Sequence, residues 1–503
     1  MGQYLPKSST AGTFRPESGL TVPTVYIVGA GLSGMALAES LSRPERGVPI
    51  RIVLLEGRPN PGGRVSSYRE TYTGQWADNG QHLFMDVYSS MLSFLDRLGT
   101  RNRVVFPSPF SIELLDGKDK SHIFRIDPKL GRIGGLLGVL SFSGLSLGSR
   151  LSMLKAGSRM SSGALKEETV DHLDARTFLL QSGATPESIE RFWELLIVSA
   201  TNLSSPDVSA ALLLRILRET LFGPRGSSLI GWSSVSHREL VIDPALTLFE
   251  RRGVEVRLKS AVAKISLSDN RVRSMVVGDQ ELNLSPNDHL VLAMPPWSLE
   301  KVLPIEMMDG ELCQNIMRIS FFSGIVSIHL WFSGPVDLPS IGGFMSGPIH
   351  WVFNKDRMLH PEIPEEKLPD GKNYLDVAYG GEEGRRSAGT FLSLTVSGVD
   401  GRDETSDEEW VQRALLAVER FSGLHPLPNL LHHRVIRERM STPILGPGQS
   451  LYRSSNQTGV SNMWLCGDTT DTGLPATMES AVRSAHTLAE ILVRGLLPGG
   501  GLK

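Results

Sequence analysis

Residues 24–64, TVYIVGAGLSGMALAESLSRPERGVPIRIVLLEGRPNPGGR, leave few folds open to this chain. Val25 to Val28 is a short apolar run, β-branched and aromatic, and predicts a buried parallel strand. It leads straight into Gly29-Ala30-Gly31-Leu32-Ser33-Gly34, a G-x-G-x-x-G turn. Met35, Leu37, Ala38 and Leu41 then carry a helical pattern, and a second apolar run from Ile50 to Leu55 ends on Glu56. A G-x-G-x-x-G alone also describes an ordinary βα turn. A strand before it, a helix after it and an acid on the next strand single out the dinucleotide-binding unit. Gly29 permits the tight turn, Gly31 lets the backbone approach a pyrophosphate, and Gly34 lets the helix pack on its strand. The helix N-terminus, at Leu32 and Ser33, offers unpaired N–H groups and a positive dipole end to the phosphates. Glu56 is placed to accept hydrogen bonds from ribose hydroxyls.

Gly62-Gly63-Arg64 follows just beyond the acid. The pair of glycines and the arginine resemble the FAD signature of the amine oxidase and phytoene desaturase superfamily, where the arginine lies along the pyrophosphate and flavin. Trp76-Ala77-Asp78-Asn79-Gly80-Gln81-His82 narrows the resemblance to the squalene-associated branch, the hydroxysqualene dehydroxylases. In related flavoenzymes this loop, with Gly80 and Gln81, passes beside the isoalloxazine ring. From residue chemistry alone His82 reads as a core histidine satisfied by backbone. Thr177-Phe178, Phe192-Trp193-Glu194, Ala200-Thr201-Asn202 and Ser209-Ala210-Ala211 resemble the same branch, although Leu195 stands where that family carries Pro. Near the end, Cys466-Gly467-Asp468 and Thr472-Gly473-Leu474-Pro475-Ala476-Thr477 resemble the superfamily's C-terminal FAD motif. There the aspartate bonds the ribityl chain, and a helix starting near Pro475 aims its N-terminus at the flavin. Val262, opening an apolar run, corresponds to a position whose backbone touches the adenine in related flavoproteins.

The resemblance implies an α/β fold: a Rossmann-type FAD-binding domain of the glutathione-reductase-like kind, with a discontinuous α+β substrate-binding domain. Residues 23–105, 237–299 and 456–495 are assigned to the first, 106–236 and 300–455 to the second, and 1–22 and 496–503 to tails. FAD would be held non-covalently, because Cys466 falls in a buried strand. The implied reaction is reductive removal of the hydroxyl of hydroxysqualene to give squalene, a hopanoid and sterol precursor. His82 and Glu194 are the candidate acids. No second nucleotide fingerprint is found, so NAD(P)H or another external reductant would reduce the flavin.

At 503 residues with two cysteines, Cys313 and Cys466, the chain has room for two or three domains and no disulfide framework. That usage points to a reducing, cytoplasmic setting. A net charge of −3 argues against nucleic acid as a partner. The substrate expected is a long apolar isoprenoid, and prenyl synthases of the squalene pathway are candidate upstream partners. Residues 131–160 are apolar with basic ends, which suits either an interfacial membrane helix on the inner face of the membrane or the lining of a lipid tunnel. Three other readings stay open: a carotenoid-type desaturase, an amine oxidase, and a flavin-free lipid-binding protein of the GDP-dissociation-inhibitor type.

Overall fold

Alternation along β1 (Thr24–Val28) decides the architecture. Val25 and Ile27 enter one apolar cluster while Tyr26 and Val28 enter another, so the strand is buried on both faces. β2 (Arg51–Leu55) divides the same way, with Ile52 and Leu54 on the first side and Val53 and Leu55 on the second. Such strands need cover above and below. The computed structural model describes residues 22–496 except 73, 75, 119, 162–164, 221–228, 360–388 and 450–451, with backbone alone for Pro128 and Arg132. The tails lie almost wholly outside the described residues, and so do residues 361–372, whose prolines and acids predict a surface loop, and 380–384, a glycine run whose sequence lacks the strand and helix signals of a nucleotide fingerprint.

Five strands pair in parallel, in the order Glu255–Arg257, β2, β1, His289–Leu292, Met463–Leu465. One face is covered by α1 (Leu32–Leu41) and the helices Asp243–Arg252 and Met478–Leu496. Every residue of α1 is buried, and its one charge, Glu39, is matched by Arg43, Arg97 and Arg252. The other face carries an antiparallel meander, Val262–Ser268, Arg271–Val277 and Gln280–Asn283, together with the helices Pro296–Val302 and Glu311–Arg318.

A second sheet has seven strands, ordered Leu430–Pro443, Phe322–Phe332, Phe391–Val399, Trp351–Asn354, Ile341–Phe344, Phe110–Leu115, Ser121–Ile126. All its pairings are antiparallel except that between Ile341–Phe344 and Phe110–Leu115. Helix Asp407–Ser422, capped by the Ser406 hydroxyl at the Glu409 N–H, lays Trp410, Val411, Ala414 and Val418 on one face of it. Short helices between 132 and 220 form a further apolar cluster.

Four details differ from the sequence reading. Residues 131–160 are two helices, Arg132–Ser141 and Leu147–Ser161, rather than one segment. The first lies close on the hairpin strand before it: a Cβ on Gly134 would sit 2.2 Å from the Asp127 carbonyl, and one on Gly138 2.6 Å from that of Arg125. Residues 398–405, whose glycines and acids predict a surface loop, begin as strand, which continues to Val399. The last helix begins at Met478, because the Thr477 hydroxyl accepts the Ser480 N–H and so sets the cap there rather than at Pro475. Finally, Leu83–Met85 pairs with Ile230–Ser233, so the boundary drawn between residues 105 and 106 is bridged by a shared sheet.

Candidate active site

The site grows from the end of β1. Gly29 has φ +111°, and a Cβ there would lie 2.3 Å from the Ala293 carbonyl, so no other residue fits the turn. Its N–H donates to Leu55 O at 2.7 Å, which fixes the turn to the tip of β2. A Cβ on Gly34 would come within 1.9 Å of Gly29 O; that contact sets how closely α1 docks. Gly31 is the opposite case, with nothing within 4 Å of where its Cβ would be. It begins α1 without a side-chain cap, leaving first-turn N–H groups, those of Leu32 and Ser33 among them, without intrahelical partners. This combination of open space and uncapped donors suits a phosphate.

Gly62 bridges to Gly31 and donates to Ala30 O at 2.8 Å, laying the Gly62-Gly63 loop on the turn. The Glu56 carboxylate accepts the Ala30 N–H and the Arg58 N–H, each at 2.9 Å. Each oxygen keeps a lone pair for a further donor, such as a ribose hydroxyl. Ser260 N–H donates to Glu56 O at 2.8 Å and so brings the Val262 strand to the same place.

The C-terminal motif arrives from the far end of the chain. Arg64 donates to Asp468 at 2.6 Å and to Ser441 O at 2.8 Å. Burial works against the guanidinium, yet Asp468 holds it above its ordinary pKa. Arg64 bonds one oxygen of Asp468 and leaves the other for a further donor. Arg453, absent from the sequence reading, ties the loop after Asp468. It is 7% exposed and donates to the carbonyls of Asp468 (2.7 Å), Thr470 (2.6 Å) and Leu474. Pro475 and Thr477 then lead into the last helix. Cys466 is buried, and burial pushes its thiol up to about 12, which leaves it protonated and unreactive.

The 78–82 loop closes onto this arrangement through Asn79, whose side chain donates to Arg64 O at 2.9 Å. Gly80 lies close on strand Phe322–Phe332; a Cβ would reach within 3.0 Å of Ser327 Oγ. Around the loop is a nest of buried polar groups. Asp78 Oδ1 accepts from the Ser67 hydroxyl (2.7 Å) and the His237 N–H (2.8 Å). His329 Nε2 lies 3.1 Å from Asp78 O. Lys355 Nζ donates to Gln81 Oε1 at 2.6 Å and stands 3.9 Å from Asp78 Oδ2. The His82 and His237 rings meet edge to face at 4.6 Å. Burial opposes the charge of Asp78, but His237 and Lys355 keep its carboxyl below the usual range. Burial, with His237 next, pushes His82 down to about 3. Burial thus favours the neutral imidazole of His82 near pH 7. Glu194 makes a structural bond, accepting the Ser205 N–H at 3.0 Å, and no ion pair or hydrogen bond joins it to the nest.

Among the described residues, several buried polar atoms of this nest lack partners: Tyr68 Oη, Asn79 Oδ1, His82 Nδ1, both ring nitrogens of His237 and His329 Nδ1. Orphaned groups beside an open glycine turn and an uncapped helix fit a bound polar group. The fold and this site define a dinucleotide-binding flavoprotein oxidoreductase. Residues 32–493 match the family described as "Flavin containing amine oxidoreductase", and the chain belongs to that family. It is 27% identical over 469 residues to a hydroxysqualene dehydroxylase of Sinorhizobium fredii, covering 93% of this chain and 97% of that protein. It is 22% identical over 516 residues to a 15-cis-phytoene desaturase of Solanum lycopersicum, covering 98% of this chain and 81% of that one. Among solved structures, cyclohexylamine oxidase of Brevibacterium oxydans superposes with a TM-score of 0.65 at 15% identity, over 95% of this chain and 100% of that one. At that identity the likeness is one of fold.

Two outcomes are expected. Arg453→Met removes the donor to the buried carbonyls of Thr470 and Leu474 and leaves that of Asp468 only a long bond from the Ser480 hydroxyl; it lowers unfolding stability by about 3 kcal/mol or more, with loss of flavin on gel filtration, and unchanged stability with full occupancy would contradict this. Acid also weakens the fold. His82 (about 3), His289, His329 and His486 (each about 4) are held neutral by burial, while an unfolded histidine protonates near 6.5. Their stability contribution is complete above 6.5 and is lost as pH falls towards those values, up to about 2 kcal/mol per group by pH 5. Denaturant midpoints at pH 7 and pH 5 measure it, and His289→Gln should narrow the difference.

Proposed function

We propose that the chain is an FAD-dependent oxidoreductase that removes the hydroxyl of hydroxysqualene reductively and releases squalene. The observation that carries this reading is the 78–82 loop: the stretch that resembles the dehydroxylases is the one folded into the buried polar nest beside Arg64. Similarity to dehydroxylases over 93% of the chain supports it. FAD would be held by Gly29, Gly31, Leu32, Ser33, Gly34, Glu56, Gly63, Arg64, Gly80, Gln81, Val262, Gly467, Asp468, Leu474, Pro475 and Thr477. Residues 23–105, 237–299 and 456–495 supply these positions, and the remainder binds substrate.

When bound and reduced, FAD supplies hydride. The residues do the rest. The uncapped turn of α1 and Arg64 bind and orient anionic groups, and Glu56 bonds hydroxyls. In the overall reaction a C–O bond breaks, a C–H bond forms and the oxygen leaves as water after gaining a proton. NAD(P)H or another external donor restores the reduced state. The carotenoid-desaturase reading has its own support in the tomato enzyme's similarity, and it runs hydride the other way. Single turnover in D2O, where the exchangeable N5–H of the reduced flavin is deuterium, distinguishes them: one deuterium should appear in squalene at the carbon that lost oxygen. Unlabelled product, or turnover only when phytoene reduces oxidised FAD, would transfer the assignment to a desaturase.

Access for an apolar substrate is read at helices Arg132–Ser141 and Leu147–Ser161. Ile133, Leu136, Leu137, Leu147 and Leu151 are exposed there, with Arg125 and Lys129 exposed beside them. No helix among the described residues is long and apolar enough to cross a membrane. An apolar face rimmed by cations suits shallow insertion into an anionic bilayer. Changing Leu136, Leu137 and Leu140 to Ser should abolish flotation with anionic liposomes and slow turnover of membrane-held substrate; full retention of both would refute the contact.

A further inference from the structure

Removing a hydroxyl as water requires a proton donor, and the nest contains several titratable groups. Their environments sort them. His82, His237 and His329 are each driven towards the neutral imidazole by burial, so they hold no proton to give near pH 7. The buried Tyr68 phenol is pushed up, chiefly by burial, which makes it a poorer acid than free tyrosine. Burial opposes the charge of Asp78, but the nearby Lys355 ammonium and the bonds from the His237 backbone N–H and the Ser67 hydroxyl keep it ionised. Lys355 remains. It is 5% exposed and opens the helix Lys355–Leu359 at the end of the buried strand Trp351–Asn354. Burial lowers its pKa from the ordinary lysine value, against the pull of Asp78 and Asp356.

The contacts show why this ammonium is more than a tie between two elements. Asp78 Oδ1 is occupied by Ser67 and His237, leaving Oδ2 turned towards Lys355 at 3.9 Å, beyond hydrogen-bond reach. Gln81 presents its oxygen to Nζ at 2.6 Å while its own amide donates to His82 O at 3.1 Å. Of three N–H donors, one is thus committed to a neutral acceptor, and the counter-ion neutralises the charge from a distance. A buried pair built for stability would close to contact, and arginine would serve it better. Lysine in this setting is a fixed cation with a transferable proton.

Resting on the dehydroxylation reading above, we propose that Lys355 is the general acid of the reaction, held by Gln81 and Asp78, and that it protonates the departing allylic hydroxyl. As the C–O bond breaks, its electron pair stays on oxygen, which takes a proton from Nζ and leaves as water. The carbon receives hydride, with its two electrons, from the reduced flavin. Lys355 is left as the neutral amine and regains a proton from solvent, favoured by the Asp78 carboxylate.

Two substrates and two variants test this: hydroxysqualene and its trifluoroacetate ester, whose leaving group needs no proton, with Lys355→Met and Lys355→Arg. Both variants should lose roughly 10²- to 10⁴-fold in single-turnover rate on the alcohol and under about 10-fold on the ester. Lys355→Arg keeps the charge and should keep wild-type thermal stability and flavin content, yet stay slow on the alcohol because a guanidinium does not release its proton. The wild-type rate on the alcohol should fall as pH rises through the Lys355 pKa, at a pH below the ordinary 10.5, and the ester rate should not. Carbon-13 NMR of lysine-Cε-labelled protein, with Lys355→Arg identifying the signal, should show the same titration independently of turnover. Variants as fast as wild type on the alcohol would overturn the assignment. So would equal losses on both substrates, the pattern of a structural tie, or a titration at or above 10.5. A wild-type enzyme that makes no squalene from either substrate would instead remove the dehydroxylation reading on which the assignment rests.

Discussion

The ion pair between Arg64 and Asp468 joins residues 404 positions apart, and the whole site is arranged about it. One partner follows the glycine turn that β1 and β2 present; the other ends the last strand of the same sheet. Neither segment reaches the other through local structure. Their meeting depends on parallel strands delivering all their C-terminal ends to one edge. Arg64 also bonds Ser441 on the second sheet and is touched from behind by Asn79. Its guanidinium thereby joins the C-terminal motif to the far sheet, while its backbone carbonyl ties in the polar loop. Losing either member of a pair this enclosed strands a charge.

What the sequence discloses follows from the range of the forces involved. β1, α1 and β2 were readable because strand burial and helix packing impose short periods, and because Gly29 and Gly34 meet their neighbours within that unit. The parallel sheet follows from the same unit, whereas the expectation that its later strands come from distant parts of the chain rests on the family resemblance. The cap at Thr477 was missed by three residues, since Pro475 also suits a helix start. Lys355 and Arg453 were invisible. Each sits in a polar stretch, F-N-K-D-R-M and S-L-Y-R-S-S, that reads as solvated surface. Only the assembled sheets bury them. His82 is visible as a residue, but its charge state depends first on burial by the assembled fold and next on His237, which lies 155 positions away in the chain (237 − 82).

The nest shows how a protein keeps one cation among neutral bases. Three imidazoles crowd round a single carboxylate, and all three lose the competition for its charge to an ammonium that does not touch it. Desolvation decides the outcome, because it penalises each charged form and leaves room for only one net pair. The same exclusion of water that suppresses the histidines would strengthen every dipole aimed at a substrate oxygen.

Gly134 and Gly138 bring helix Arg132–Ser141 so near the hairpin that backbone carbonyls fill the space a methyl group would need. A helix seated on such a contact has no freedom to roll. Its outward leucines are displayed at all times, with no second orientation in which they are hidden. The exposed leucines therefore belong to a closely seated element, and the apolar-phase contact proposed for them would need no rearrangement of this helix. Away from that phase, the same permanence leaves the protein's own copies as the remaining partners for the face, so its solubility is tied to whatever covers those leucines.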